Sequence, residues 1–319
     1  AYQKALSTDR QHVQALIGMA GSFVNEGNPS AGAEWARRAL AVAPGDDNAA
    51  QELALCLLEQ GKWAEAWPFW RRRLMRGHRP RNYPGTVWQG EAVDWLIVHG
   101  EQGLGDEVMF LGCLPELMSR ARQGVVIEVN PKLVDVVRRS FPRATVIGSD
   151  AEFVQPGDGT IAYCRMGDLA EFCADGVPPK RSGYLRADPQ TGYSDAVLLA
   201  MAGGTPGTHD YLRNPPTEAW APVVAAIRSA GLRPVSIQYG PNGPAMAEAL
   251  GIEHDVAASG GENLTGQAQA LVSAVALVSV PQTALHLAGA LDVRTLGVVA
   301  NKPAWRYGLS GPMPWYRSV

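Results

Sequence analysis

The residues from Trp95 to Phe110, WLIVHGEQGLGDEVMF, constrain this chain more than any other stretch. The apolar run Trp95-Leu96-Ile97-Val98 has the length and composition of a buried strand. Glycines come next at 100, 103 and 105, and then apolar residues at helical spacing: Val108, Leu111, Leu114, Leu117 and Met118. Strand, glycine turn and helix start form the opening of a βαβ unit, with free backbone N–H groups aimed at the C-terminal edge of the sheet. Ligands of open α/β sheets bind at that edge. Asp106 falls at the helix start, as a cap for the first turn or as a carboxylate facing the crevice.

The pattern continues. The spacing predicts a helix over 105–122, a strand over Val125–Val129, a helix opening at Pro131, and strands at Ala144–Ile147 and Ile161–Tyr163. A second set begins with a strand at Ala196–Ala200 and an irregular loop, AGGTPGTHDYLRNPP, at 202–216. Helix 217–230, strand Pro234–Gln238, helix 244–250 and a strand at 253–256 come after it. Residues 263–280 then give a capped helix and an apolar strand, and a further helix starts near Gln282. Strands alternating with helices imply parallel sheets covered on both faces. A dinucleotide site is the obvious candidate, since Gly103-Leu104-Gly105 opens like GxGxxG and Glu128 ends the next strand. The third glycine, needed for close helix–strand packing, is Val108, and Asp106 would repel a pyrophosphate.

Chain length, 319 residues, allows two to three domains at ~150 residues each. The formal net charge of −3 offers no basic field for nucleic acid. Cys56, Cys113, Cys164 and Cys173 form no CxxC pair and no metal-like spacing, which reads as free buried thiols in a reducing compartment. No apolar run approaches the ~18 residues of a membrane span, and the first residues lack a secretory pattern. The expected location is cytoplasmic.

In the first 78 residues Ala5-Leu6 recurs at Ala39-Leu40, Ala20 at Ala54 and Gly27 at Gly61, each 34 positions on. This period resembles tetratricopeptide repeats. Helices are expected near 11–26, 29–42, 47–60 and 63–76, with Ala1–Leu6 resembling the tail of a preceding repeat and implying more chain upstream. Two such repeats need support from the α/β region beyond them, and Trp63, Trp67, Phe69 and Trp70 suit core or docking duty; a peptide groove is the functional alternative. The basic run Arg71, Arg72, Arg73, Arg76, His78, Arg79 and Arg81 reads as a solvated helix end, with the holding of an anionic ligand as the functional alternative, and 77–94 as a linker.

A more specific likeness rests on HGEQGLGDEVMF, on VWQGE at 87–91 before it, on GYLRAD at 183–188, on SIQYG at 236–240 and on SVPQTALHLAGAL at 279–291. Together they resemble the tetratricopeptide-fused relatives of the ADP-heptose:lipopolysaccharide heptosyltransferases, glycosyltransferase family nine. The resemblance implies an α/β fold of GT-B type, two Rossmann-like halves facing a cleft, preceded by an all-α repeat segment. The implied boundaries are 1–78 for the repeats, 79–190 for the acceptor half, 191–303 for the nucleotide-sugar half, and 304–319 for a segment crossing back. It implies sugar transfer from a nucleoside-diphosphate sugar to a glycan or protein acceptor, without metal or bound cofactor. Asp106 would be the base beside the acceptor-side loop Gly103, Leu104 and Gly105. The donor diphosphate would meet Arg213, Gln238, Gln282, Thr283 and His286, with His209 and Asp210 in the same loop as Arg213. Trp305, Arg306, Trp315 and Tyr316 would be structural. Three positions depart from the family pattern: Tyr239 for lysine, Pro281 for aspartate and Gln282 for threonine. Those departures support a second reading, a degenerate nucleotide-binding scaffold presenting its repeats to a protein partner.

Overall fold

The computed structural model describes residues 1–73, 81–177, 179–203, 214–261, 263–308 and 311–319. It opens with five helices: α1 (Tyr2–Thr8), α2 (Val13–Asn25), α3 (Pro29–Val42), α4 (Asp47–Glu59) and α5 (Trp63–Trp70). The starts of α2 and α4, and of α3 and α5, lie 34 residues apart. The starts of α3 and α4 have a local cause. Asn28 accepts the Ala31 N–H ahead of Pro29, and Asp46 accepts the Ala49 N–H. Gly27 and Gly61, also 34 apart, adopt φ of +82° and +70° between paired helices, where a side chain would be strained. At Gly32 a Cβ would stand 2.9 Å from the Cys56 sulfur and 3.0 Å from the Ala20 carbonyl, so the crossing of α2, α3 and α4 needs a glycine.

The first α/β half contains β1 (Thr86–Val87), β2 (Val93–His99), α6 (Leu104–Leu111), α7 (Leu114–Leu117), β3 (Ala121–Val129), α8 (Val134–Ser140), β4 (Thr145–Gly148) and β5 (Ile161–Arg165). Its strands are parallel in the order β1-β5-β2-β3-β4. The second half contains β6 (Ala196–Ala200), α9 (Ala221–Ser229), β7 (Arg233–Ser236), α10 (Gly243–Leu250), β8 (Glu253–His254), α11 (Thr265–Ser273), β9 (Ala276–Ser279), α12 (Thr283–Ala290) and β10 (Thr295–Gly297). Its parallel order is β10-β9-β6-β7-β8. From the central strand of each sheet, β2 or β6, the chain fills one side and then crosses to the other. That reversal makes a switch point at the C-terminal ends of β2 and β6, where such folds bind ligands.

Two expectations about the first half need correction. The helix foreseen over 105–122 breaks at Gly112 and Cys113, because Pro115 fits only at the first turn of a new helix. The stretch 77–94, expected as a linker, contributes β1 and the start of β2 to the sheet. One apolar core runs from Ala20 and Leu53 through Phe110 and Leu198 to Tyr316. All four cysteines are free and buried within it.

The segment after β10 crosses back over both other parts. Trp305 lies among Trp63, Trp67 and Trp70 of α5, with ring centroids 5.6, 6.4 and 5.6 Å away. Trp315 packs edge-on against Phe110 of α6, and Tyr316 lies against α12, where a Cβ at Gly289 would strike its ring. The tryptophans of α5 also tie the helical segment to the first half, Trp67 donating to the Gly176 carbonyl and Trp70 to that of Gly167.

Candidate functional site

A cleft of about 640 Å³ lies between the two halves. Most segments lining it sit just past the end of a parallel strand. Gly103, Leu104, Gly105 and Asp106 come after β2, Lys132 after β3, Tyr239 after β7, and Ser259 and Gly260 after β8. Pro281, Gln282, Thr283, Ala284 and His286 come after β9, while Arg306 and Tyr307 belong to the returning segment. The halves touch on the cleft floor: a Cβ on Gly105 would stand 2.8 Å from the His286 ring. A backbone bond from Leu264 N–H to the Lys132 carbonyl joins them again nearby.

Asp106 sits in the first turn of α6, and its carboxylate is 2.9 Å from an Nη of Arg306. The side chains remain 23% and 20% exposed, so a ligand in the cleft reaches both. Burial disfavours the charged guanidinium, but the Asp106 carboxylate and its neighbours outweigh it and hold Arg306 above its usual range.

Opposite, α12 begins without a side-chain cap. Its N-cap residue, Gln282, is extended at φ −159° and accepts no N–H of the first turn. That end therefore presents free N–H groups and the positive end of the helix dipole to the cleft, an arrangement suited to an anion. Among the described residues the Nε2 of Gln282, itself 9% exposed, is buried without a hydrogen-bond partner. A buried donor left without a bond costs about 1–3 kcal/mol, which a ligand oxygen would relieve.

His286 lies one turn into α12, 3% exposed, with Nδ1 and Nε2 each 3.1 Å from a hydroxyl, those of Tyr316 and Tyr307. Burial pulls its pKa down to about 4, against a smaller upward pull from Asp106, so the ring is neutral at neutral pH. Both ring nitrogens being engaged, His286 orients the two tyrosines and meets Gly105 by packing. Gln238 lies outside the cleft lining. Its Oε1 accepts the N–H groups of Met201 and Ala202, and its Nε2 donates to the Ala202 and Tyr239 carbonyls, so it braces the loop after β6 and has no free group for a base or ribose. Arg213, His209 and Asp210 lie outside the described residues.

Sequence reasoning misses Lys132, Tyr307 and the cleft position of Arg306. Lys132 stands just past the end of β3, so the strand-end rule that selects Asp106 would have found it. Glu128, by position a candidate ribose ligand, is buried against Arg81 at 2.8 Å and accepts the Tyr83 hydroxyl at 2.9 Å. Arg73 is no solvated helix end: it is buried between Glu101, in the glycine loop, and Asp168.

Glu107, beside Asp106, is buried and accepts the Asn130 N–H at 2.8 Å. Burial raises its pKa from 4.5 to about 7, the Asn130 bond opposes the rise, and Asp106, Glu101 and Glu128 add to it. The folded form binds this proton more tightly than the unfolded one, so stability from Glu107 is lost as pH rises from about 4.5 to about 7. Glu107→Gln is expected to gain about 3 kcal/mol relative to wild type over roughly that pH span. Urea melts of both proteins across that range measure it, and a constant difference would refute it.

No family model matches the chain. It is 25% identical over 304 residues to Protein FlbA of Caulobacter vibrioides, covering 83% of this chain and 50% of that protein. The chain thus spans half the length of the curated relative it matches. Among solved structures it resembles the E. coli heptosyltransferase WaaC with ADP, at 14% identity and a TM-score of 0.50, covering 67% of this chain and 91% of that one. It also resembles a glycosyl transferase family 9 structure from Veillonella parvula, at 12% identity and a TM-score of 0.50, covering 71% and 87%. The chain therefore has the two-sheet α/β fold of the family-nine heptosyltransferases.

Proposed function

We propose that this chain is a nucleotide-sugar glycosyltransferase of GT-B type, moving a sugar from a nucleoside diphosphate to a hydroxyl of a glycan or protein acceptor. One observation carries the reading: the Asp106 carboxylate and the uncapped start of α12, whose N-cap Gln282 lines the wall with its amide nitrogen buried and unpartnered, open on one cleft. The donor diphosphate would lie on the N–H groups of Gln282, Thr283 and Ala284. The acceptor would enter beside Gly103, Leu104 and Gly105, with its hydroxyl on Asp106. As the acceptor oxygen bonds to the anomeric carbon, the bond from that carbon to the diphosphate oxygen breaks. Asp106 takes the hydroxyl proton, and the diphosphate leaves with the bonding pair. The paired helices, read as tetratricopeptide repeats, would hold a protein acceptor or partner, and the whole would work in the cytoplasm.

Protein dipoles and side-chain cations stabilise the leaving group in this scheme. Transfer is expected to survive excess EDTA with less than about a twofold change in rate, and a larger loss restored by a divalent ion would refute the metal-free route. The defining experiment is calorimetric titration with a panel of nucleoside diphosphates, followed by a transfer assay with the matching sugar nucleotides. Binding with turnover is the expected result. Binding without turnover on any donor would favour the scaffold reading, which Pro281 supports by lining the cleft where the family pattern has an acid. Neither binding nor turnover would end both.

A further inference from the structure

The returning segment delivers Arg306 into the cleft with unusual support. Its guanidinium carbon lies 4.9 Å from the centroid of the Trp305 ring. Trp305 is itself held by Trp63, Trp67 and Trp70 of α5 and by Trp315 at 6.1 Å. The Trp305 backbone N–H opposes the rise that burial gives the pKa of Glu59, in the last turn of α4, and Lys302 Nζ donates to the Asn25 carbonyl at 2.9 Å. The helical segment therefore anchors the backbone leading to the point where Arg306 turns toward the cleft. The side chain is only partly satisfied there: one Nη meets Asp106 at 2.9 Å, while Nε is buried without a hydrogen-bond partner among the described residues. The same cleft holds the uncapped start of α12 and the unpartnered Gln282 amide.

We propose that Arg306 is the cation that receives the departing diphosphate, and that the tryptophan cage of α5 is what positions it. This rests on the transferase reading and extends it. In the empty cleft Arg306 neutralises Asp106. With the donor on α12, a doubly charged diphosphate with several oxygens competes with a single carboxylate for the guanidinium fork, whose geometry matches phosphate. Arg306 moves toward the phosphate, and its Nε gains the partner it lacks. Asp106 is left free to take the acceptor proton while the charge released on the leaving oxygen falls on Arg306. The donor is then required before the base is available, and the helical segment becomes part of the catalytic unit through Trp305.

The test compares a nucleoside diphosphate with the monophosphate of the same base by calorimetry, in wild type, Arg306→Gln, Arg306→Lys, Asp106→Asn and Asp106→Asn/Arg306→Gln. Wild type is expected to favour the diphosphate at least tenfold. Arg306→Gln should shrink that preference at least tenfold and lower kcat roughly 10²–10³-fold, the usual size for one lost donor to a developing anion. Arg306→Lys should retain part of both, and Asp106→Asn should keep the full diphosphate preference. The double variant, which removes both members of the pair, should lose the preference as the single Arg306 variant does. Trp63→Phe, which keeps an aromatic ring at the cage wall, should raise KM for the donor less than Trp63→Ala. An unchanged preference in Arg306→Gln, within a protein that binds nucleotide, would overturn the proposal and leave the transferase reading intact. A wild-type protein that binds neither nucleotide and transfers nothing would overturn both.

Discussion

Asp106→Asn is expected to lower kcat roughly 10²–10⁴-fold, the range that general-base catalysis supplies. The substitution preserves shape, and an amide oxygen still faces Arg306 where the carboxylate oxygen lies 2.9 Å away. The carboxylate's charge and its ability to accept a proton are removed together. Nucleoside-diphosphate affinity should not fall, because the α12 start proposed to hold the diphosphate lies on the other half and the substitution frees Arg306 of its carboxylate competitor. The thermal midpoint should also change little, as the side chain is partly exposed. Wild-type transfer by Asp106→Asn would remove this residue from the base role, whatever the fate of the donor site. A loss of nucleotide affinity equal to the loss of rate would place it in binding instead.

The largest stability effect is expected at Arg73. Its guanidinium is 3% exposed and lies between the Glu101 carboxylate, with which it makes a two-pronged contact, and that of Asp168 at 2.6 Å. Glu101 also accepts the Gly167 N–H at 3.1 Å, and a Cβ on Gly167 would collide with the Glu101 carboxylate. Arg73→Met removes the cation and leaves the buried Glu101 carboxylate without its guanidinium partner, beside an Asp168 that keeps Arg165 at 3.0 Å. Breaking a buried pair from one side costs about 3–5 kcal/mol, a large share of the roughly 5–15 kcal/mol that holds most domains folded. Burial already raises the Glu101 pKa against the pull of Arg73, so the variant's deficit should shrink as pH is lowered and the abandoned acid takes a proton. Denaturation of Arg73→Met at neutral and mildly acidic pH, beside Arg73→Met/Glu101→Gln, which leaves the Arg165–Asp168 pair in place, separates charge from packing. If the double variant is no more stable than the single one, the loss is packing and the ionic account fails.

Elements with their own local cause are legible in the sequence. The strand at Ala196–Ala200 is apolar and buried along its whole length, and α3 starts with Asn28 and Pro29, so neither depends on distant residues for its signal. The helix after the glycine turn reads too long because its apolar spacing continues through Leu114 and Leu117, although the backbone breaks at Gly112. β1 has two residues, too few for any periodicity, and exists only because Trp88 and its neighbours align on β5. The site divides the same way. Asp106 and the start of α12 come directly after strands, and position alone marks them. Gln238 also ends a strand, but its amide turns back on its own loop, which spacing does not reveal. Arg306 and Arg73 escape a reading of spacing for a shared reason: their partners, Asp106 and Asp168, lie far away in sequence. A long-range ion pair leaves no periodic trace.

The seating of Trp305 among the α5 indoles bears on how such a protein can be rearranged. Grafting the helical array onto another protein of this two-sheet fold, or exchanging the two sheets beneath it, leaves an open aromatic socket on one product and a stranded indole on the other. The smallest exchangeable module is thus discontinuous: α4, α5 and the closing strap that carries Trp305 and Arg306 have to be transplanted together.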